Sequence, residues 1–158
     1  NPNKYKGDPT GVVYRSGWER SVMLHFDNSS DVVSWSSEEV VVPYIYDVDK
    51  TRHRYFVDFL VTYKNGTTLL IEVKPNKETP PPKKVNTRNK KYMTEALTYV
   101  RNMNKWEAAI EYCKDRGWKF EIWTEVELRN MGILPKPLKK LKPLPAYSKK
   151  PRTPRKKL

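Results

Sequence analysis

The residues with the clearest capacity for chemistry are two acids and a lysine within apolar segments. Asp58 and Glu72 each have apolar or aromatic neighbours on both sides, and Lys74 follows Glu72 by two residues. An unpaired buried carboxylate costs several kcal/mol, so both acids need cations or hydrogen-bond donors. Because strand side chains alternate, Lys74 shares a face with Glu72. This pattern indicates a built polar site where a core would take aliphatic residues.

Two segments carry these residues. Arg54–Tyr63 has apolar or aromatic residues on both alternating faces, with Asp58 near its middle, which predicts a central, buried strand. Leu69–Lys74 predicts its hairpin partner, which is entered through Asn65-Gly66. The geometry of that turn therefore decides whether the two acids meet.

Two registers of the hairpin are possible. A two-residue turn would leave Asp58 and Glu72 on opposite faces of the sheet. A three-residue loop with Gly66 as a left-handed bulge would pair Tyr63 with Thr67. It would set the acids opposite each other, about 5 Å apart. We predict the second register, because only this one forms a two-carboxylate site.

Two close carboxylates bind hard divalent cations such as Mg²⁺ or Mn²⁺ through oxygen. Such a metal polarises a phosphate and activates a water, and Lys74 can stabilise the developing negative charge. Glu19, on a predicted first helix, is a candidate to complete the metal shell or steer the nucleophile, although a helix-capping role also explains it. The single cysteine, Cys113, and only two histidines argue against zinc and exclude an internal disulfide.

The remaining segments predict a single α/β domain, with a mixed central sheet flanked by helices. Apolar residues at helical spacing and residues typical of caps and strands define the elements. They are a helix at Ser16–Asp27 with a Ser16/Glu19 capping box, strands at Val32–Ser36 and Val40–Tyr46 with Pro43 at an edge or bulge, a long helix at Arg88–Arg116 ended by Gly117, a strand at Trp118–Trp123 and a short helix with a Thr124/Glu127 capping box. The long helix has the predicted core stripe Met93, Ala96, Leu97, Val100, Met103, Trp106, Ile110 and Cys113.

Charge and composition divide the chain into three parts: an N-terminal arm at 1–14, the α/β domain at 15–134 and a tail at 135–158. The tail holds ten Lys or Arg and no acid, so it carries most of the net charge of +13. A basic tail indicates nucleic acid or another polyanion, and a solvated end explains it equally well. No segment has the roughly 18 apolar residues of a membrane span, and none predicts a signal peptide. One cysteine suits a reducing compartment such as the cytoplasm.

A second basic cluster lies between the hairpin and the long helix. Its lysines and arginines are candidates for holding DNA phosphates beside the cut site, and a solvated helix start is the alternative. The candidates are Lys83, Lys84, Arg88, Lys90 and Lys91, with Arg15 beside the first helix.

The order Glu19, Asp58 and then Glu72-Val73-Lys74 resembles the PD-(D/E)XK nuclease superfamily, with Val57 in place of the usual proline. The closer resemblance is to the head-completion nucleases of T-even-like tailed phages. The segments that carry it are Tyr14–Glu19, His53–Phe59, Ile71–Pro75 and Lys105–Ala109, and it runs from about Lys4 to Leu128. The chain is similar, more distantly, to TnsA-type transposition endonucleases.

This resemblance implies a restriction-endonuclease-like fold and an active site of Glu19, Asp58, Glu72 and Lys74. It also implies Mg²⁺-dependent cutting of double-stranded DNA without a small-molecule cofactor, and portal or neck proteins as partners. The expected location is the head-neck region of the virion, and the host cytoplasm during assembly. A structural neck or plug protein that keeps the fold and binds DNA is the alternative. A TnsA-like transposase subunit is disfavoured, because no second folded domain is expected after Met131.

Overall fold

The computed structural model describes residues 1–83 and 89–137, and it shows a mixed sheet between helices. Its elements, in chain order, are α1 (Gly17–Asn28), β1 (Val32–Ser37), β2 (Val41–Tyr46), β3 (Thr51–Phe56), β4 (Phe59–Tyr63), β5 (Thr68–Val73), a 3-10 turn (Asn76–Glu78), α2 (Lys90–Lys114), β6 (Lys119–Trp123) and α3 (Glu125–Asn130). Among the described helices, none combines the length and apolarity needed to cross a membrane.

The central sheet has the strand order β1-β4-β5-β6. The first three strands are antiparallel, and β6 runs parallel to β5 after the crossover through α2. Strands β2 and β3 pair only with each other and form a separate two-stranded ribbon. The predicted mixed α/β sheet is therefore confirmed, and Pro43 lies in an edge strand of the ribbon, as expected.

The central sheet is covered by a different helix on each face. Helix α1 packs Val22 and Phe26 against Phe59, Ile71 and other residues of one face. Helix α2 covers the other face together with the ribbon. Successive side chains along a central strand therefore point into two different cores. Both faces of β4 and β5 are buried, as their sequences predict.

The register of the β4–β5 hairpin is the predicted one. The Tyr63 N–H donates to the Thr67 carbonyl at 2.9 Å, and Gly66 adopts a φ of 83° in the left-handed region. The ladder continues to Phe59 opposite Ile71. One further step along both strands brings Asp58 opposite Glu72.

The single strand predicted at Arg54–Tyr63 is wrong. The chain leaves the ribbon after Phe56 and enters the central sheet at Phe59, so Asp58 lies at a bend between two sheets. On one side of the bend the Val57 N–H donates to the Val40 carbonyl, and on the other side the Glu38 N–H donates to the Asp58 backbone carbonyl at 3.1 Å. The chain changes its partner strand at this point. A single straight strand over Arg54–Tyr63 could not pair with both sheets, so the chain bends at Asp58.

Helix α2 departs from its predicted core stripe. Its buried residues are Asn102, Trp106, Ala109 and Cys113, which run from its middle to its C-terminal end. Three predicted core residues are instead 42–48% exposed: Met93, Leu97 and Ile110. The sheet and ribbon cover only part of the helix, and its first turns line an open groove beside residues 77–83. Gly117 ends this region with a φ of 67°, as predicted.

The ends of the domain follow the sequence prediction in part. Ser16 caps α1, and Thr124 and Glu127 form the predicted capping box of α3. The N-terminal arm lies along β1, where Tyr5 forms a bridge with Trp35. Most of the basic tail, from residue 138, lies outside the described residues.

Replacing Gly66 with alanine should test the bulge that sets the register. The left-handed conformation costs a residue with a Cβ about 1–2 kcal/mol, so Gly66→Ala should lower the free energy of unfolding by that amount. Gly17→Ala is the matched control, because Gly17 starts α1 and a Cβ there meets nothing within 4 Å. Urea unfolding should show no loss, or a small gain, for the control. Equal effects of both substitutions would contradict the role of the bulge.

Candidate active site

Asp58 and Glu72 face each other where β4 and β5 meet the ribbon, and we call them the acid pair. The Val73 N–H donates to Asp58 Oδ2 at 2.7 Å. The Tyr55 hydroxyl, from β3, donates to Glu72 Oε2 at 2.7 Å. Glu72 is only 7% exposed. Each carboxylate therefore has one fixed donor and further oxygen lone pairs directed elsewhere.

The electrostatics of the acid pair are unfavourable without a cation. Burial, and then the charge of Glu72, raise the pKa of Asp58 to about 8, with a smaller contribution from Glu19. Burial also raises the pKa of Glu72, and the Tyr55 hydroxyl and Lys74 oppose that rise. Like charges held together in this way favour a bound proton or a bound cation.

Two lysines lie beside the acid pair. Lys74 directly follows β5, and its Nζ is 3.7 Å from Glu72 Oε1. Lys105 reaches in from α2, and its Nζ lies 5.0 Å from the centre of the Tyr55 ring. Burial lowers the pKa of Lys105, and the charge of Glu72 raises it. The site therefore combines two acids with two cations from different elements.

Lys105 and Tyr55 were not among the residues predicted for the site. Each carries a signal in the sequence. Lys105 falls beside the buried Asn102 and Ala109 on one face of α2, where a core helix would take an apolar residue. Tyr55 precedes Asp58 by three residues, and only the break in the strand explains how both reach one site.

Glu19 lies near the acid pair but is engaged in capping α1. Its carboxylate accepts from the Arg15 N–H at 2.7 Å and from the Ser16 hydroxyl at 2.8 Å. In the predicted capping box it would accept from the Ser16 N–H instead. Only half of that box therefore forms, in which Ser16 accepts from the Glu19 N–H.

The acid pair fits a hard divalent cation, because two largely buried carboxylates stand opposite each other and the charge of Glu72 disfavours ionisation of Asp58. Within residues 1–83 and 89–137, no three Asp, Glu, His or Cys side chains converge as a metal-binding group. The metal role of Glu19 stays a prediction. The remaining ligands of a bound ion would be backbone or water oxygens, as Mg²⁺ commonly has.

The predicted phosphate-binding residues lie in two places. Arg15 forms an exposed ion pair with Glu38 at 2.7 Å, next to the bend that carries Asp58. Lys83 and Lys91 line the groove between residues 77–83 and α2, and Lys90 begins that helix. Lys84 and Arg88 lie outside the described residues.

Comparison with known proteins identifies the family. Residues 29–125, more than half of the chain, match the sequence model of the TnsA-like endonuclease N terminal. The chain belongs to the TnsA-like endonuclease family. The segment of this chain that matches the family begins after Glu19. It contains Asp58, Glu72, Lys74 and Lys105.

A curated relative gives a closer match than the family model alone. The head completion nuclease of Enterobacteria phage T4 is 38% identical over 137 residues, which are 84% of this chain and 91% of the relative. Both resemblances predicted from the sequence are thereby confirmed, as is the nuclease-like fold of this TnsA-like endonuclease family member.

The raised pKa of Asp58 predicts how stability depends on pH without metal. Between about pH 4 and pH 8 the folded protein keeps a proton that the unfolded chain has lost. The free energy of unfolding should therefore fall as pH rises through that window, and the loss is complete above about pH 8. Asp58→Asn cannot titrate and should reduce this fall, so the variant should be more stable than wild type at high pH. The part of the fall that remains belongs to Glu72, whose pKa burial also raises.

Urea unfolding in chelator at low, neutral and high pH measures this difference. Asp31→Asn is the control, because Asp31 is an exposed acid at the far end of β1. Parallel pH profiles for wild type and Asp58→Asn would show that the carboxyl of Asp58 ionises normally.

Proposed function

We propose that this chain is a phage head-completion endonuclease that hydrolyses DNA phosphodiester bonds with Mg²⁺ or Mn²⁺ held by the acid pair. The observation that carries the proposal is the placement of Asp58 opposite Glu72, with Lys74 Nζ 3.7 Å from Glu72. Membership of an endonuclease family and the 38% identity to a head completion nuclease support it.

The residues of the site have distinct roles in this proposal. When bound, the metal supplies Lewis-acid polarisation of the phosphate and lowers the pKa of a water. Asp58 and Glu72 would hold this metal, and the Tyr55 hydroxyl orients Glu72 through its hydrogen bond. Lys74 offsets the negative charge that develops on the phosphate. Glu19, whose charge acts on Asp58, would complete the metal shell or steer the attacking water.

The name of the T4 relative suggests when such an enzyme acts. We infer that this chain works during head completion, at the portal or neck after DNA packaging and before tail joining. Its location would then be the virion head-neck region and, during assembly, the host cytoplasm. The alternative, a structural plug that only binds DNA, gives no reason for burying two opposed acids beside a lysine.

DNA would reach the acid pair over the basic groove at the start of α2. Lys83 and Lys91 line this groove together with Lys77, two acids and the hydroxyl-bearing Thr98; the acids are Glu78 and Glu95. Lysine charges and hydroxyl groups are typical contacts to the phosphate backbone. Lys84, Arg88 and Lys90 stay predicted phosphate contacts, as does Arg15 beside α1.

Cutting of supercoiled plasmid with Mg²⁺ or Mn²⁺ tests the proposed activity. Asp58→Ala should reduce the nicking rate at least about 10³-fold by removing a metal ligand. Lys74→Ala should reduce it about 10²–10³-fold, because a charge that stabilises the transition state is lost. The controls are Asp115→Ala and Lys119→Ala, which remove exposed charges at the other end of α2 and on β6. These two variants should cut like the wild type.

A folded wild-type protein that binds DNA but does not cut with either metal would overturn the enzyme proposal and favour the structural plug. Cutting that survives both Asp58→Ala and Lys74→Ala would place the active site elsewhere in the chain.

The salt dependence of DNA binding tests the groove. Lys83→Ala and Lys91→Ala should each reduce the slope of log affinity against log salt by about one. The affinity of each variant for DNA should fall by the same factor for unrelated duplex sequences, because phosphate contacts carry no sequence information. Lys50→Ala, a change of an exposed lysine in the β2–β3 turn, is the control. An unchanged slope in both groove variants would exclude the groove as the DNA path.

A further inference from the structure

Lys105 is a half-buried cation that faces the acid pair without pairing with it. Its Nζ lies over the ring of Tyr55, 5.0 Å from the centroid, and the hydroxyl of that ring is bonded to Glu72. Lys74 does form an ion pair with Glu72. No carboxylate of residues 1–83 or 89–137 forms one with Lys105.

This position is costly for a lysine. Partial burial removes water from the ammonium group, and a contact with one aromatic ring returns only about 0.5–2 kcal/mol. The same face of α2 buries Asn102 and Ala109, so an apolar side chain would pack there without that cost. A cation kept here without an ion-pair partner is therefore available for an anion that enters the site.

The surroundings specify which anion. The charge of Lys74 contributes to lowering the pKa of Lys105, and Glu72 is the neighbour that both lysines share. A metal on the acid pair would add a third positive centre. A DNA phosphate has two nonbridging oxygens. Lying between the two lysines and the metal, it could contact more than one of these cations at once.

We propose that Lys105 binds a nonbridging oxygen of the DNA phosphate that is cut, beside the oxygen contacted by Lys74. The proposal rests on the proposed nuclease function. It makes Lys105 a catalytic residue contributed by α2, whereas the acid pair and Lys74 come from the hairpin. Because α2 also lines the basic groove, one helix would contact both the approaching DNA and the scissile phosphate.

A different role would give different measurements. Lys105 could act only through Glu72, by keeping that carboxylate charged and ready for metal. In that case loss of Lys105 would weaken metal binding, and extra metal would restore cutting. If Lys105 binds phosphate, its loss removes a positive charge beside the metal site, so metal binding should stay the same or become tighter.

The experiment compares Lys105→Met, Lys105→Gln and Lys105→Arg in the full chain. The nicking rate is measured at saturating plasmid and Mn²⁺, and Mn²⁺ affinity is measured separately without DNA by calorimetry. Lys105→Met and Lys105→Gln should cut about 10²-fold more slowly, with unchanged or tighter Mn²⁺ binding. Lys105→Arg should keep much more of the rate, because it keeps the charge. Lys114→Met, on the opposite side of α2, is the control and should cut normally.

Wild-type rates in both neutral variants would overturn the role of Lys105 and leave the proposed nuclease function intact. Weakened Mn²⁺ binding, with cutting restored by more Mn²⁺, would also overturn it and assign Lys105 to the positioning of Glu72. A wild-type protein that does not cut would overturn the proposed function and, with it, the role of Lys105. Methionine and glutamine differ in shape and polarity, so they are not expected to disturb folding in the same way. One neutral variant that circular dichroism shows to be folded is enough to decide the role of Lys105.

Discussion

The repulsion between Asp58 and Glu72 is the constraint around which this domain is arranged. Burial and mutual charge raise the pKa of Asp58 to about 8, so the folded chain holds two acids that oppose each other in the absence of metal. A few fixed partners stabilise the acid pair. The backbone N–H of Val73 donates to Asp58, and the Tyr55 hydroxyl and Lys74 contact Glu72. The rest of the fold supplies the stability that allows such a pair to persist.

The fold brings these partners together from elements that are separate in the chain. The central sheet carries the acid pair, the ribbon carries Tyr55, and α2 carries Lys105. The bend at Asp58 is what joins the ribbon to the sheet, and it lies directly at the site. The ribbon packs against α2, and this packing positions Tyr55, whose hydroxyl orients Glu72. Both elements therefore influence the acid pair, although neither carries one of its acids.

The sequence predicted the central part of the site and missed its surroundings for identifiable reasons. The acids in apolar strands and the Asn65-Gly66 turn were sufficient to predict the hairpin register, because only one register brings the acids together. The bend at Asp58 was missed, because both halves of Arg54–Tyr63 are apolar and alternation alone does not show a change of partner strand. In α2, spacing alone did not show which turns the sheet covers, so Met93 was placed in the core and Lys105 outside the site.

The register of the hairpin also limits how such a chain can diverge. Each residue inserted into or deleted from one strand moves every later side chain to the other face. A single-residue change between Asp58 and Glu72 would direct one acid to the α1 face of the sheet and the other to the α2 face, without preventing the hairpin from forming. Length variation between the acids should therefore occur within the loop as whole turn replacements, or by two residues at a time. An odd change in the spacing between the acids therefore separates them, whereas an even change leaves them on one face of the sheet.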